Sequence, residues 1–203
     1  MVDDAVIARS YADIADLYIR LFGDGVNQVD PDDLDFLRRH FAGCAGPVLD
    51  VGCGPGHLTA YLNEIGVATR GVDLVPEFVA NARSRWPTLQ FEVGSMLHLD
   101  LPTSSLDGVL AWYSLIHCEP ADLAPVLAQF ASAIRPGGVL VVGFFVGDRV
   151  EPFAHKVTTA YRWPMDEMSE ALAATGFTEV ARASRPRIGE TRPHGAIAAR
   201  GSI

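Results

Sequence analysis

Cysteine is scarce in this chain, with three in 203 residues, and Cys44, Cys53 and Cys118 show no C-x-x-C spacing. An odd, scattered set fits neither a disulfide scaffold nor a structural zinc site, and reads as thiols kept reduced. Long apolar runs are missing too. The longest, Val139 to Val146, is interrupted by Gly143 and is far too short to cross a bilayer. The opening Met1-Val2-Asp3-Asp4 lacks the basic-then-apolar order of an export signal, so the expectation is a soluble, cytoplasmic protein. Positive charge is in deficit. A net charge of −9 argues against a general affinity for nucleic-acid phosphates or anionic membranes and leaves a small molecule as the expected partner. No internal repeat or low-complexity segment is present. With 49% hydrophobic residues, the chain can bury one good core, and two independent cores would each be small.

What the chain does have is concentrated between Val48 and Asp73. Val48-Leu49-Asp50-Val51 is an apolar strand that runs straight into Gly52-Cys53-Gly54-Pro55-Gly56. A helical pattern follows in Leu58, Tyr61, Leu62 and Ile65. Glycines can take φ > 0 and let a ligand approach the backbone, and the helix start aims free N–H groups at the same spot. Glycines also make ordinary turns, so the motif needs support. It comes seventeen residues past Gly56, where the apolar run Val67 to Val72 ends in Asp73. In a doubly wound sheet the ends of these two strands lie side by side, and a carboxylate there can accept hydrogen bonds from both hydroxyls of a ribose.

The glycine spacing is G-x-G-x-G, shorter than the G-x-G-x-x-G of dinucleotide binders. With Asp50 ahead of it and Asp73 after it, the stretch resembles the first motifs of the class I S-adenosylmethionine (SAM)-dependent methyltransferases. The resemblance extends over about Pro47 to Ile203, including Asp107 opening a strand and the Pro136-Gly137-Gly138 turn before another. It implies a Rossmann-like three-layer α/β sandwich with a mostly parallel seven-stranded sheet and an antiparallel last strand. It further implies one domain over 1–203, with 1–42 as a helical lid and 47–203 as the cofactor-binding core. The implied cofactor is SAM, leaving as S-adenosylhomocysteine. Its methionyl end falls to Gly52, Cys53 and Gly54, its ribose to Asp73, and its adenine to Ser95 and Met96, with Asp50 and Leu74 also among the expected cofactor-binding residues. Ser95 departs from the family, in which an aspartate is common there. Trp112 and Tyr113 would wall the crevice beside the methyl, and Tyr11 would face the methionine end from the lid.

The remaining elements follow from periodicity and breakers. Residues 3–22 read as one helix with Val6, Ile7, Ile14, Leu17 and Leu21 on its stripe, and 31–41 as a second, opened by Pro31 and two acids. Helices are expected at 76–86, 121–134 and 165–174, and strands at 89–93, 106–111, 139–146, 177–183 and 196–199. The stretch 147–164 reads as an irregular substrate wall. Arg182, Arg185, Arg187 and Arg192 make the C-terminal end locally basic, either to attract an acidic molecule or to guard an edge strand.

Beyond the strand ending at Ala111 lies Trp112-Tyr113-Ser114-Leu115-Ile116-His117, in the crevice that the strand order creates. His117 is the candidate general base for an in-line methyl transfer, since an imidazole titrates near neutrality. Packing on the adenosine side, or capping the next helix, is the plainer role for it. No metal is expected, because Cys53, His57, His117 and Cys118 come two by two from separate loops. Two other functions share these motifs: a nicotinamide-dependent oxidoreductase and a non-catalytic SAM-binding regulator.

Overall fold

A computed structural model of the chain describes residues 4–186 and 192–201. Strands β1 (Val48–Val51), β2 (Thr69–Asp73), β3 (Phe91–Val93), β4 (Leu106–Trp112) and β5 (Ile134–Val146) form a parallel sheet in the order β3-β2-β1-β4-β5. Every residue of β1 is buried and β4 is buried through Ala111, as strands covered on both faces must be. The strands β8 (Phe177–Arg185) and β9 (His194–Gly201) close the far side, β9 pairing antiparallel with both β5 and β8. These are the seven strands the sequence leads one to expect.

Helices cover both faces. On one, α6 (Pro120–Ala133) and α7 (Met165–Ala174) bury Leu123, Leu127, Phe130, Met168 and Leu172 against Leu49, Val109 and Leu140. On the other, α3 (Pro31–Phe41) and α4 (His57–Glu64) bury Phe36, Leu37, Phe41, Leu58 and Leu62 against Val48, Leu110 and Val141. The helix α5 (Pro76–Arg85) packs Val79 and Ala82 on Phe91 of β3. The start of α3 is locally encoded: Asp30 accepts a hydrogen bond from the Asp32 N–H at 2.9 Å, and Pro31 takes the first helical position, where its missing N–H costs nothing.

Three stretches differ from the sequence expectation. The helix expected over 3–22 is two helices, α1 (Asp4–Ala12) and α2 (Ala15–Phe22), broken at Asp13 and Ile14. The break turns Tyr11 and Tyr18 inward, while Val6, Leu17 and Leu21 of the supposed buried stripe are about half exposed. Helical spacing identified the period but not the face. The segment 1–42 also divides by role, because α3 belongs to the packed core and only α1 and α2 lie along the cavity described below.

The stretch 147–164 is a hairpin rather than an irregular wall. Its strands β6 (Glu151–Ala154) and β7 (Thr159–Trp163) pair antiparallel, and β7 continues the sheet beside Phe145 and Val146 at the end of β5. Among the described residues the sheet therefore has nine strands. At the C-terminal end, Arg182 pairs with Glu179 and Asp166, Arg185 with Asp30 and Asp33, and Arg192 stacks on Phe145 and Phe153. Arg187 lies outside the described residues. Among the described residues no helix is long and apolar enough to cross a membrane.

Candidate active site

The strand order reverses between β1 and β4, and a crevice opens beyond the carboxyl ends of these strands, where this topology places ligands. A cavity of about 820 Å³, its open mouth included, occupies that crevice under α1 and α2.

Its floor is the turn after β1. Gly52 and Gly54 have φ of 72° and 54°, backbone that side chains with a Cβ rarely adopt. A Cβ on Gly52 would stand 2.3 Å from Cβ of Ser114, which places the turn directly beneath the loop after β4. Asp73 ties the turn to the end of β2. Its carboxylate accepts the Gly54 N–H at 2.7 Å and the Val75 N–H at 2.8 Å. Burial nonetheless raises its pKa to about 6, against these hydrogen bonds. At neutral pH it is a charged acceptor facing the cavity.

Ten of the twelve residues singled out from the sequence line this cavity: Tyr11, Gly52, Gly54, Asp73, Leu74, Ser95, Met96, Trp112, Tyr113 and His117. Asp50 and Cys53 do not. Asp50 is 1% exposed and accepts the Thr59 hydroxyl at 2.7 Å, tying β1 to α4. Burial, joined by the nearby Asp73 charge, raises its pKa to about 7. Cys53 points away from the cavity into a small apolar cluster with Val79, Ala82 and Phe91. Asp50 sits within β1 and joins the strand to α4, while Cys53 lends the turn only its backbone, whose N–H donates to the Val72 carbonyl. The Ser95 hydroxyl accepts the Leu97 N–H at 3.1 Å, starting a short 3-10 turn over Met96–His98, and keeps its own proton to donate.

The sequence reading missed Tyr18 and Phe78 as lining residues. Tyr18, Tyr11 and Phe78 form a mutually packed aromatic layer between α2 and α5, with ring centroids 5.1–5.9 Å apart. Their spacing in sequence is no signal. Ser114 also lines the cavity, and its hydroxyl oxygen is buried without a hydrogen-bond partner among the described residues. A buried polar atom left unpaired is costly unless a ligand satisfies it.

The wall opposite the floor carries His117, 6% exposed. Its Nδ1 lies 2.7 Å from the carbonyl oxygen of Thr159, the first residue of β7, and its Nε2 lies 2.9 Å from the Tyr11 hydroxyl. A carbonyl only accepts, so Nδ1 carries the hydrogen and Nε2 presents its lone pair to Tyr11. Burial lowers the His117 pKa and keeps the ring neutral. Burial likewise raises the Tyr11 phenol pKa, with the Tyr18 and Asp73 charges adding to it. The resting pair is therefore a phenol donating to a neutral imidazole. Cys118 lines the cavity nearby, but burial and the acids around it raise its pKa to about 12, which leaves the thiol un-ionised and unreactive.

These residues fit SAM. Two glycines without Cβ atoms line the floor, a carboxylate stands at the end of β2, and the Ser114 hydroxyl, without a partner among the described residues, lies above the turn.

Comparison with known proteins agrees. The family model described as "Methyltransferase domain" matches residues 48–138. An O-methyltransferase, cnsE, of Penicillium expansum is 31% identical over 143 residues, 64% of this chain and 51% of that protein. The chain spans about half or less of the length of the curated relatives it matches. A crystal structure of the Burkholderia thailandensis 1,6-didemethyltoxoflavin-N1-methyltransferase, with 1,6-didemethyltoxoflavin and S-adenosylhomocysteine bound, superposes with a TM-score of 0.79. It is 27% identical, and the match covers 98% of this chain and 87% of that one. The [4+2]-cyclase SpnF shares the fold at a TM-score of 0.78 and 16% identity, over 97% of this chain and 96% of that one. Matched in sequence over residues 48–138, and in fold over nearly its whole length, the chain carries a methyltransferase domain with the fold of the SAM-dependent methyltransferases.

Proposed function

We propose that the protein is a soluble, cytoplasmic, single-domain enzyme that methylates a nitrogen or oxygen of a small molecule, with Tyr11 and His117 together taking up the acceptor's proton. The observation that carries this reading is the Tyr11–His117 hydrogen bond, made across the same cavity that holds the glycine turn and Asp73.

The cofactor supplies an activated methyl on a sulfonium. The chain has to position, exclude water and move one proton. Gly52 and Gly54 hold the methionyl end, Asp73 and Leu74 the ribose, and Ser95 with Met96 the adenine. Trp112 and Tyr113 form the wall beside the transferred group, and α1 with α2 form the lid. His117 does not meet the acceptor directly, because Tyr11 occupies its Nε2. As the acceptor's N–H or O–H gives its proton to the Tyr11 oxygen, Tyr11 passes its own proton to Nε2. The imidazolium so formed is held by the Thr159 carbonyl. Neither side chain need ionise alone, which matters for a phenol whose pKa burial has raised.

The Burkholderia relative is named as an N1-methyltransferase and holds 1,6-didemethyltoxoflavin. That compound is the first acceptor to try. Calorimetric titration with SAM, S-adenosylhomocysteine and NAD comes before it. Binding of the two sulfur ligands and not NAD is the expected result. Binding of NAD alone overturns the reading. Tight SAM binding with no methylated product from a broad acceptor panel identifies the regulatory role instead.

A further inference from the structure

Tyr113 is one of two non-glycine residues with positive φ among those described, at 55°. A bulky residue there is strained, and such strain persists only where the surroundings over-determine it. Here they do. The Tyr113 N–H donates to the Gly143 carbonyl at 2.9 Å, and its hydroxyl lies 2.6 Å from Nδ1 of His194 at the start of β9. Its ring packs edge-on against Trp112 and His194 and tilted against Phe145. Arg185, held by Asp30 and Asp33 at the start of α3, lines the same small cleft as Tyr113 and His194. The Tyr113 hydroxyl and Nδ1 of His194 share one hydrogen bond, which links the loop after β4 to the start of β9.

The residues on either side of Tyr113 have no slack. Trp112 lies against Gly143, where a Cβ would come within 2.8 Å of the indole. Ser114 lies on Gly52, where a Cβ would come within 2.3 Å of its own. A shift of Tyr113 would carry Ser114 across the floor of the cavity, at the glycine that faces the ligand.

We propose that His194, acting through the Tyr113 hydroxyl, is a positioning residue that holds the Trp112–Ser114 wall against the Gly52 turn and so sets cofactor affinity from outside the cavity. This rests on the cofactor assignment made under Proposed function. It goes beyond that assignment because His194 does not line the cavity and sits 81 residues from Tyr113 in the chain. The relevant backbone strain is stored in one residue, and the C-terminal strand pair supplies the restraint.

The test is a double-mutant cycle on S-adenosylhomocysteine affinity, measured by calorimetry, with Tyr113→Phe, His194→Ala and the two combined. Thermal unfolding of each variant runs alongside. Each single change should weaken binding about fivefold to tenfold, and the pair should be no weaker than the worse single, since both remove one link. His194→Asn, whose side-chain amide can take the place of Nδ1, should recover most of the loss. Loss of binding that tracks loss of Tm, with no recovery by His194→Asn, would show a merely structural role and overturn the proposal. Affinities within twofold of wild type, or effects that multiply in the double variant, would overturn it as well. Failure of the wild-type protein to bind S-adenosylhomocysteine would overturn the cofactor reading itself, a result distinct from all of these.

Discussion

The floor and the roof of the cavity are built in opposite ways. The floor is backbone. Gly52 and Gly54 lie between fully buried strands, and the groups that shape the turn are main-chain N–H donors to the Val72 carbonyl and to Asp73. The roof is side chain. None of the residues in α1 is buried and only Ala15 is buried in α2, so what meets the cavity is a row of aromatic rings held by one another and by the Tyr11–His117 bond. A backbone site suits a ligand that never changes. A side-chain roof on two short helices can be altered one residue at a time, and it is loosely enough held to open.

If that contrast is right, damage to the roof should strike turnover and damage to the floor should strike binding. His117→Ala should lower turnover roughly 100- to 10,000-fold, the range for loss of a positioned proton acceptor, with S-adenosylhomocysteine affinity changed only a few-fold. Equal loss of both would place His117 in cofactor binding and remove it from the chemistry. Asp73→Ala should weaken S-adenosylhomocysteine binding on the order of 100-fold, because hydrogen bonds to a charged group are worth about 1.5–3 kcal/mol each. Unchanged calorimetric affinity would show that the ribose lies elsewhere.

Asp50 supplies a third comparison, through stability. Its folded pKa of about 7 lies above the usual carboxylate value of 3.8, so between these pH values the folded chain holds a proton that the unfolded chain has lost. Stability therefore falls as pH rises from about 4 to 7 and then levels. Asp50→Asn should flatten that fall in thermal unfolding scans at pH 5.5 and 8. It should not abolish it, because burial raises the Asp73 pKa in the same direction. An unaltered slope would mean that Asp50 is ionised in the fold throughout. The smallest effect belongs to the outer face of the roof. Leu17→Ser, at a position 50% exposed, should change stability by less than about 0.5 kcal/mol, and a larger loss would show that α2 is packed against something on its outer side.

The parts of this molecule legible in its sequence are those that local chemistry dictates. Strands β1 and β2 announce themselves as apolar runs ending in a glycine turn and in Asp73, and Pro31, Pro76 and Pro120 each stand at the start of a helix. The topology then follows from rules about parallel strands. What the sequence concealed depends on distant partners. Helical spacing could not show that Tyr11 and Tyr18, one position off the aliphatic stripe, would face inward, because the cavity that draws them in is made by β1, β2 and β4. The β6–β7 hairpin has Pro152 on one strand and only five residues, Thr159 to Trp163, on the other, and its pairing to the end of β5 is set by tertiary contact. The contact between Tyr11 and His117 spans 106 residues. Asp50 and Cys53 show the reverse error: a motif can be read correctly while two of its side chains point elsewhere.

The partner of Nδ1 on His117 is a main-chain carbonyl, that of Thr159, whose own side chain faces solvent. No substitution removes a carbonyl oxygen. The hairpin that supplies it can thus exchange its exposed side chains, so long as its two strands stay paired and Ala160 and Trp163 stay buried, and the imidazole keeps the same tautomer. Descendants of this chain could change what the hairpin recognises without relearning how to take a proton.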